Sequence, residues 1–133
     1  MITREADYAM RVALHLASLY SDKNETASCA EVARTMGVPY RFLRKIVRRM
    51  VVSRLVLSSR GRGGGLRLAK PPRTVSLLDV IEATGATGVT LSRCLAPRGG
   101  CARVKGCRIH DELSTLQRTV DERLAALTLD RLL

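Results

Sequence analysis

The chain has 133 residues, enough for one compact domain with an appendage, and no apolar run approaches the roughly 18 residues of a membrane span. Hydrophobic residues make up 46% of it and aromatic residues only 3%, so the core must consist of Leu, Val, Ile and Ala, which favours packed helices. The formal net charge is +11, and residues 1–75 carry nearly all of this excess. The charge indicates an anionic partner, with double-stranded DNA ahead of an anionic membrane. Since no signal peptide precedes the first helix, we expect a cytoplasmic protein without membrane contacts.

The first predicted element is an amphipathic helix over residues 3–20, whose apolar positions recur at helical spacing. A polar stretch at residues 21–26 follows it. Ser28 and Glu31 then have the spacing of a capping box, in which each side chain satisfies a free amide at a helix start. This pattern predicts a short second helix that ends at Met36.

The next segment predicts a helix-turn-helix. Gly37 can adopt the left-handed conformation of a helix end, and Pro39 suits the first turn of a new helix. Leu43, Ile46 and Val47 then begin an apolar row at intervals of three and four residues, so the intervening cations turn away from the core. A second helix that is basic on its outer face is typical of DNA-reading helices. The outward cations are Arg41, Arg44, Lys45, Arg48 and Arg49.

A β-hairpin is predicted over residues 55–68, because an apolar run and an alternating segment flank a stretch rich in Gly and Arg. After a helix-turn-helix, such a hairpin is typical of the wing of a winged helix. By themselves, the glycines and arginines would indicate a solvated surface loop. The adjacent basic helix favours DNA contact instead, with Arg60 and Arg62 entering a groove. We predict that the DNA-contacting residues are Ser28, Pro39, Tyr40, Arg41, Arg44, Lys45, Arg48, Arg60, Arg62, Gly63 and Gly64.

The second half begins with another capped helix start, at Ser76, and then loses periodicity over residues 86–108, which we call the cysteine loop. Cys94, Cys101 and Cys107 lie in this loop, separated by six and five residues. These gaps differ from the C-x-x-C pair of most structural zinc sites. Three clustered thiolates suit either zinc or an iron–sulfur cluster, and the spacing does not choose between them.

A metal centre on three cysteines needs a fourth ligand. His110 is the local candidate, three positions after Cys107 at a helix start, and Asp7 is the distant one if the first helix lies beside the cysteine loop. Each has an ordinary alternative, since His110 can be a polar surface residue and Asp7 a helix-dipole partner. The remaining cysteine, Cys29, is predicted to be a buried thiol of the helix-turn-helix.

A long helix is predicted from Ile109 onward, with an apolar stripe at intervals of three and four residues. A stripe of this kind needs a partner, and a second copy of the chain would provide the two-fold symmetry that palindromic operators require. The predicted fold is therefore mainly α with a small β-hairpin. Residues 1–75 form a winged helix-turn-helix DNA-binding domain, and residues 76–133 carry a packing helix, the cysteine loop and a dimerisation helix.

Several segments resemble the Rrf-two (BadM) family of winged-helix transcription regulators, which includes the iron–sulfur sensors IscR, NsrR and RirA. They are residues 3–17, the glycine-rich residues 61–68, the three cysteines before a long helix, and the ending at residues 128–133. The resemblance implies a homodimeric regulator, with repression favoured, whose promoter binding follows an iron–sulfur cluster that senses nitric oxide, redox state or iron–sulfur status.

The resemblance also implies that Cys94, Cys101 and Cys107 ligate a cluster, with 2Fe-2S favoured and 4Fe-4S as the alternative. His110 stands where the cluster-biogenesis regulators place their fourth ligand, and Asp7 stands where the nitric-oxide sensors place theirs. The sequence departs from the family pattern in the wing, where Leu66 replaces an aromatic residue, and in the first cysteine gap, which is one residue longer than in the cluster-biogenesis type.

The sequence also bears on two other classes of protein. A winged-helix regulator with a zinc site or a thiol switch on the same cysteines is the alternative within the DNA-binding class. An enzyme is disfavoured, because the chain has no C-x-x-C pair, no phosphate-binding loop followed by a lysine, and no Ser-His-Asp arrangement.

Overall fold

The computed structural model describes residues 1–20 and 25–133, so most of the predicted polar stretch at residues 21–26 lies outside the described part. The described residues form five α-helices and one antiparallel hairpin, which confirms the predicted fold class. The helices are α1 (Arg4–Ser18), α2 (Cys29–Met36), α3 (Tyr40–Val52), α4 (Leu77–Ala83) and α5 (Arg108–Ala126), and the strands are β1 (Val56–Ser59) and β2 (Gly65–Leu68). Short 3-10 turns occupy Pro72–Thr74, Arg93–Leu95 and Leu129–Leu132.

Local chemistry sets the ends of the helices. Ser28 caps α2, where its hydroxyl accepts a hydrogen bond from the amide of Glu31 at 3.1 Å. The reciprocal bond of a capping box is absent here, since the Glu31 side chain points into solvent. Gly37 ends the helix in the left-handed conformation with φ of 62°. Pro39 is the residue just before α3 rather than within its first turn, which removes no amide needed by the helix.

Helix α1 is the centre of the core. Ala9, Val12 and Leu16 are buried, and α1 packs against α3, α4 and the hairpin. The small Ala side chains let these neighbours approach closely. The end of the chain returns to this core, because Leu129 is fully buried and its amide donates to the carbonyl of Val75 at 2.9 Å.

The hairpin is attached to the helix-turn-helix through a backbone bridge. In its register Val56 faces Leu68 and Ser59 faces Gly65. Ala27, just before α2, exchanges two backbone hydrogen bonds with Leu66, at 3.0 and 2.7 Å. This bridge holds the hairpin beside the helix-turn-helix.

Helix α5 lies on the outside of the domain. It packs against α4, yet none of its residues is fully buried, and Ile109 and Leu116 are 71% and 55% exposed. Tyr20, the last residue of the first helix predicted from the sequence, lies beyond the end of α1 and is 40% exposed. No helix in the described part of the chain is both long and apolar enough to cross a membrane.

Candidate nucleic-acid interface and cysteine loop

Helix α3 presents a basic face to solvent. Leu43, Ile46 and Met50 are fully buried, and their position on one side of the helix turns Arg41 and Arg48 outward. Burial of the apolar row therefore determines which cations are available to an external anion.

A groove lies between α3 and the hairpin. It has a volume of about 830 Å³ and opens to solvent. It is lined, among the residues predicted to contact DNA, by Tyr40, Arg41, Arg44, Lys45, Arg48 and Arg60.

Cys29 also lines this groove and is half-buried, whereas the sequence predicted a buried thiol. Its position at the first turn of α2 brings it to the edge of the core instead of the interior.

The tip of the hairpin is held by a residue that the sequence analysis did not single out. The hydroxyl of Thr26 donates to the carbonyls of Gly63 and Gly64, at 3.2 and 3.1 Å. Arg60 and Arg62 remain exposed on this tip. The wing is therefore a defined turn with two exposed cations. Thr26 is 37 positions from Gly63 in the sequence, so no local pattern indicates this contact.

Two cations of α3 are engaged within the chain. The Lys45 ammonium lies 2.5 Å from Oε1 of Glu5 and the Arg49 guanidinium lies 2.5 Å from Oε2. Arg49 also donates to the carbonyl of Thr84, the residue that ends α4, at 2.6 Å. The hydrogen bond from Lys45, aided by the nearby charges of Arg49 and Lys45, holds the pKa of Glu5 below its usual value against the opposing effect of burial.

The three cysteines of the loop form no disulfide and lie apart from one another. Cys94 is half-buried in the 3-10 turn, with its Sγ 3.4 Å from the Ser92 hydroxyl. Cys101 is exposed, and half-buried Cys107 precedes the first residue of α5. Among the residues the structure describes, no three His, Cys, Asp or Glu side chains are grouped closely enough to hold a metal ion. The predicted ligand set is present but is not brought together.

The two candidate fourth ligands have different surroundings. Within residues 1–20 and 25–133, the buried Nδ1 of His110 has no hydrogen-bond partner, and its Nε2 lies 3.5 Å from the Ser114 hydroxyl. Asp7 forms an ion pair with Arg11 at 2.9 Å. His110 therefore has an unused ligand atom, whereas Asp7 is already paired.

The start of the cysteine loop is pinned to α5 by Gln117, which the sequence analysis also did not single out. Its amide donates to the carbonyl of Val89 at 2.6 Å and accepts from the amide of Leu91 at 2.9 Å. Further along, a side chain at Gly99 would collide with the carbonyl oxygen of Arg93, so the segment around Cys94 folds back closely on itself.

Comparison with known proteins places these features in a family. Residues 2–133 match the Rrf2 family, described as an iron-dependent transcriptional regulator. The transcriptional regulator NsrR of Geobacillus kaustophilus is 32% identical over 136 residues, which cover 98% of this chain and 90% of the relative. The structure of T. potens IscR superposes with a TM-score of 0.73 at 21% identity, over 98% of this chain and 83% of that one. CymR, the global cysteine regulator of B. subtilis, superposes with a TM-score of 0.72 at 20% identity, over 99% and 95%.

Proposed function

Since this chain belongs to the Rrf2 family of DNA-binding transcriptional regulators, we propose that it binds promoters as a homodimer under the control of an iron–sulfur cluster in the cysteine loop. Family members are regulators and not enzymes, as the sequence predicts. The observation that carries the DNA-binding part is the groove between α3 and the hairpin, with Arg41, Arg44 and Arg60 on its walls.

The two walls of the groove have different roles in this proposal. Helix α3 enters the major groove, where Arg44 reads base edges and Arg41 and Arg48 hold phosphates. The exposed tip arginines Arg60 and Arg62 enter the neighbouring minor groove, whose negative potential attracts cations. Ser28, Pro39, Tyr40, Gly63 and Gly64 stay in the proposed set of contact residues, although the hydroxyl of Ser28 is occupied by its capping bond.

Dimerisation through α5 is the next part of the proposal. Ile109 and Leu116 leave an apolar edge uncovered on a helix that otherwise packs on α4. A second copy that contributes the same edge would cover both and create a two-fold axis. The two α3 helices of such a dimer would then read the halves of a palindromic operator.

The donor set of the cysteine loop fits an iron–sulfur cluster chemically. Its three thiols are free of disulfides, and five Lys or Arg but no acid lie between Glu82 and Asp111. These charges would offset an anionic cluster. When bound, an iron–sulfur cluster supplies a redox-active group. Cys94, Cys101 and Cys107 would hold it after the exposed part of the loop closes around it.

His110 is the fourth ligand that we propose. Its buried Nδ1 has no hydrogen-bond partner among the described residues, and it lies in the first turn of the helix that starts beside Cys107. Asp7 is the alternative and would have to give up its ion pair with Arg11. A 2Fe-2S cluster is favoured over a 4Fe-4S cluster, and nitric oxide, redox state or iron–sulfur status is the proposed signal.

The test compares three proteins purified without oxygen: wild type, Cys101→Ala and Cys29→Ala. Visible absorbance, iron and acid-labile sulfide are measured, followed by affinity for a duplex selected by the protein from a random pool. We expect wild type and Cys29→Ala to carry a cluster and Cys101→Ala to lose it. We also expect the cluster to change affinity for the selected duplex about fivefold or more. His110→Ala and Asp7→Asn in the same series identify the fourth ligand.

Full iron and sulfide in Cys101→Ala would contradict the proposed cluster site. The second candidate function is a regulator with a zinc site or a thiol switch on the same cysteines, and the exposed position of Cys101 favours the thiol switch. Colourless wild-type protein with stoichiometric zinc, or with affinity that follows thiol oxidation, would select that alternative and leave DNA binding in place.

A further inference from the structure

The ion pairs of Glu5 lie at the edge of the DNA-facing side of α3. The side chains of Glu5 and Lys45 are 27% and 54% exposed, so the pair borders on solvent. Lys45 lines the groove between α3 and the hairpin. It also lines a second groove of about 530 Å³ between α3 and α4. Its ammonium therefore stands at the boundary between the proposed DNA surface and the rest of the domain.

A DNA phosphate and the Glu5 carboxylate compete for the same group. Both are anions that accept charge-assisted hydrogen bonds from an ammonium. While Lys45 is held by Glu5, its charge is largely cancelled and releases few counterions from DNA. Opening the pair would add one cation to the surface that α3 presents.

Arg49 differs from Lys45 in a way that singles out the lysine. Arg49 has a second acceptor, the carbonyl of Thr84, which anchors it to α4. Within residues 1–20 and 25–133, Glu5 is the recorded hydrogen-bond acceptor of the Lys45 ammonium. Loss of the Glu5 contact would therefore leave Arg49 bonded to the carbonyl of Thr84 but would release the Lys45 ammonium.

We propose that Glu5 is an internal competitor of the DNA backbone, which holds Lys45 away from phosphate and lowers the affinity of α3 for duplex DNA until the pair opens. The inference rests on the proposed DNA-reading role of α3. It makes the start of α1 a regulatory contact on the reading helix, in addition to its place in the core.

The first test is Glu5→Gln in the full-length chain, with iron content matched between samples. Binding to a random-sequence duplex is measured by fluorescence anisotropy over a series of salt concentrations. We expect binding about three- to tenfold tighter than wild type, with a salt slope steeper by about one. Glu82→Gln is the matched control, because Glu82 also lines the groove between α3 and α4 but, in the described part of the chain, forms no ion pair with the cations of that groove. It should tighten binding much less.

A double-mutant cycle with Lys45→Gln separates competition from a general charge effect. We expect Lys45→Gln to weaken binding more in the Glu5→Gln background than in wild type, because Lys45 reaches phosphate only when Glu5 is neutral. An equal loss in both backgrounds would overturn the inference.

Thermal melting of each variant identifies a purely structural role. If Glu5→Gln melts lower and binds DNA no tighter than Glu82→Gln, the inference is wrong. If Glu5→Gln does not fold, Glu5→Asp replaces it. Its shorter carboxylate should hold Lys45 less well, so this variant should bind DNA more tightly than wild type. Affinity equal to wild type would then overturn the inference. Wild-type protein that binds no duplex at all would instead overturn the proposed function.

Discussion

Arg44 and Arg60 show how the place of one side chain determines its role. Both line the groove between α3 and the hairpin, but Arg44 projects from a rigid helix and Arg60 from a turn. A helix fixes the direction of a guanidinium well enough for two parallel bonds to a guanine, whereas a turn suits the less demanding phosphate or minor groove.

We therefore expect Arg44→Ala to weaken binding to the selected duplex about tenfold or more and to random duplex about threefold or less. Arg60→Ala should weaken both by similar factors. Arg118→Ala, which removes an exposed cation from α5, is the matched control and should change neither much. Competition anisotropy with the selected and the random duplex measures these changes in affinity. If Arg44→Ala weakens binding to both duplexes by the same factor, Arg44 does not read bases.

At the scale of elements, Gln117 connects α5 to the start of the cysteine loop. Its side chain satisfies the carbonyl of Val89 and the amide of Leu91, and it also donates to Asp121 at 2.9 Å. Loop backbone groups of this kind have no helix or sheet to pair with, so one amide side chain determines the course of the segment before Cys94.

Gln117→Ala should release this segment without unfolding the domain. We expect hydrogen exchange at the Leu91 amide to be at least about tenfold faster, because its acceptor is gone, and iron retention to fall. Thr119→Ala, at an exposed position on the same helix, is the control. Unchanged exchange at Leu91 would mean that Gln117 does not hold the loop in solution.

At the scale of the whole molecule, α5 is only partly covered by the other described residues. Ile109 and Leu116 lie along the uncovered edge of α5, while Leu124 of the same stripe is half-buried and packs towards α4 and α1. An apolar edge of this kind on an otherwise polar helix is typical of a subunit interface.

Leu116→Lys should therefore convert a dimer into a monomer, because a buried unpaired ammonium at a two-fold contact faces its own copy. Sedimentation equilibrium measures the mass, and affinity for a duplex with two half-sites should fall more than affinity for a single half-site. Thr115→Lys adds the same charge at an exposed position away from the stripe and should leave the mass unchanged. A monomeric wild type, or a dimeric Leu116→Lys, would contradict the α5 interface.

Local rules predicted much of the fold. The φ of Gly37, the capping box of Ser76 with Asp79, and the strand alternation around Leu66 depend on residues within a few positions of each other. These patterns act on the backbone before any tertiary contact forms, so they can be recognised in the sequence. The boundaries shifted by one or two residues, as at Pro39, because the terminal turns of a helix depend on what packs against them.

The candidate site was predictable only in part. The sequence by itself determined the basic face of α3, the cationic tip of the hairpin and the three clustered cysteines, because composition and spacing express these features directly. Only the tertiary structure decided that Glu5 holds Lys45, 40 residues away, and that Gln117 holds Leu91. It also left the cysteines apart and Cys29 half-buried. The physical reason is that these outcomes depend on which elements pack together. Contacts between side chains of different elements produce no periodic pattern in the sequence, so they cannot be recognised from it.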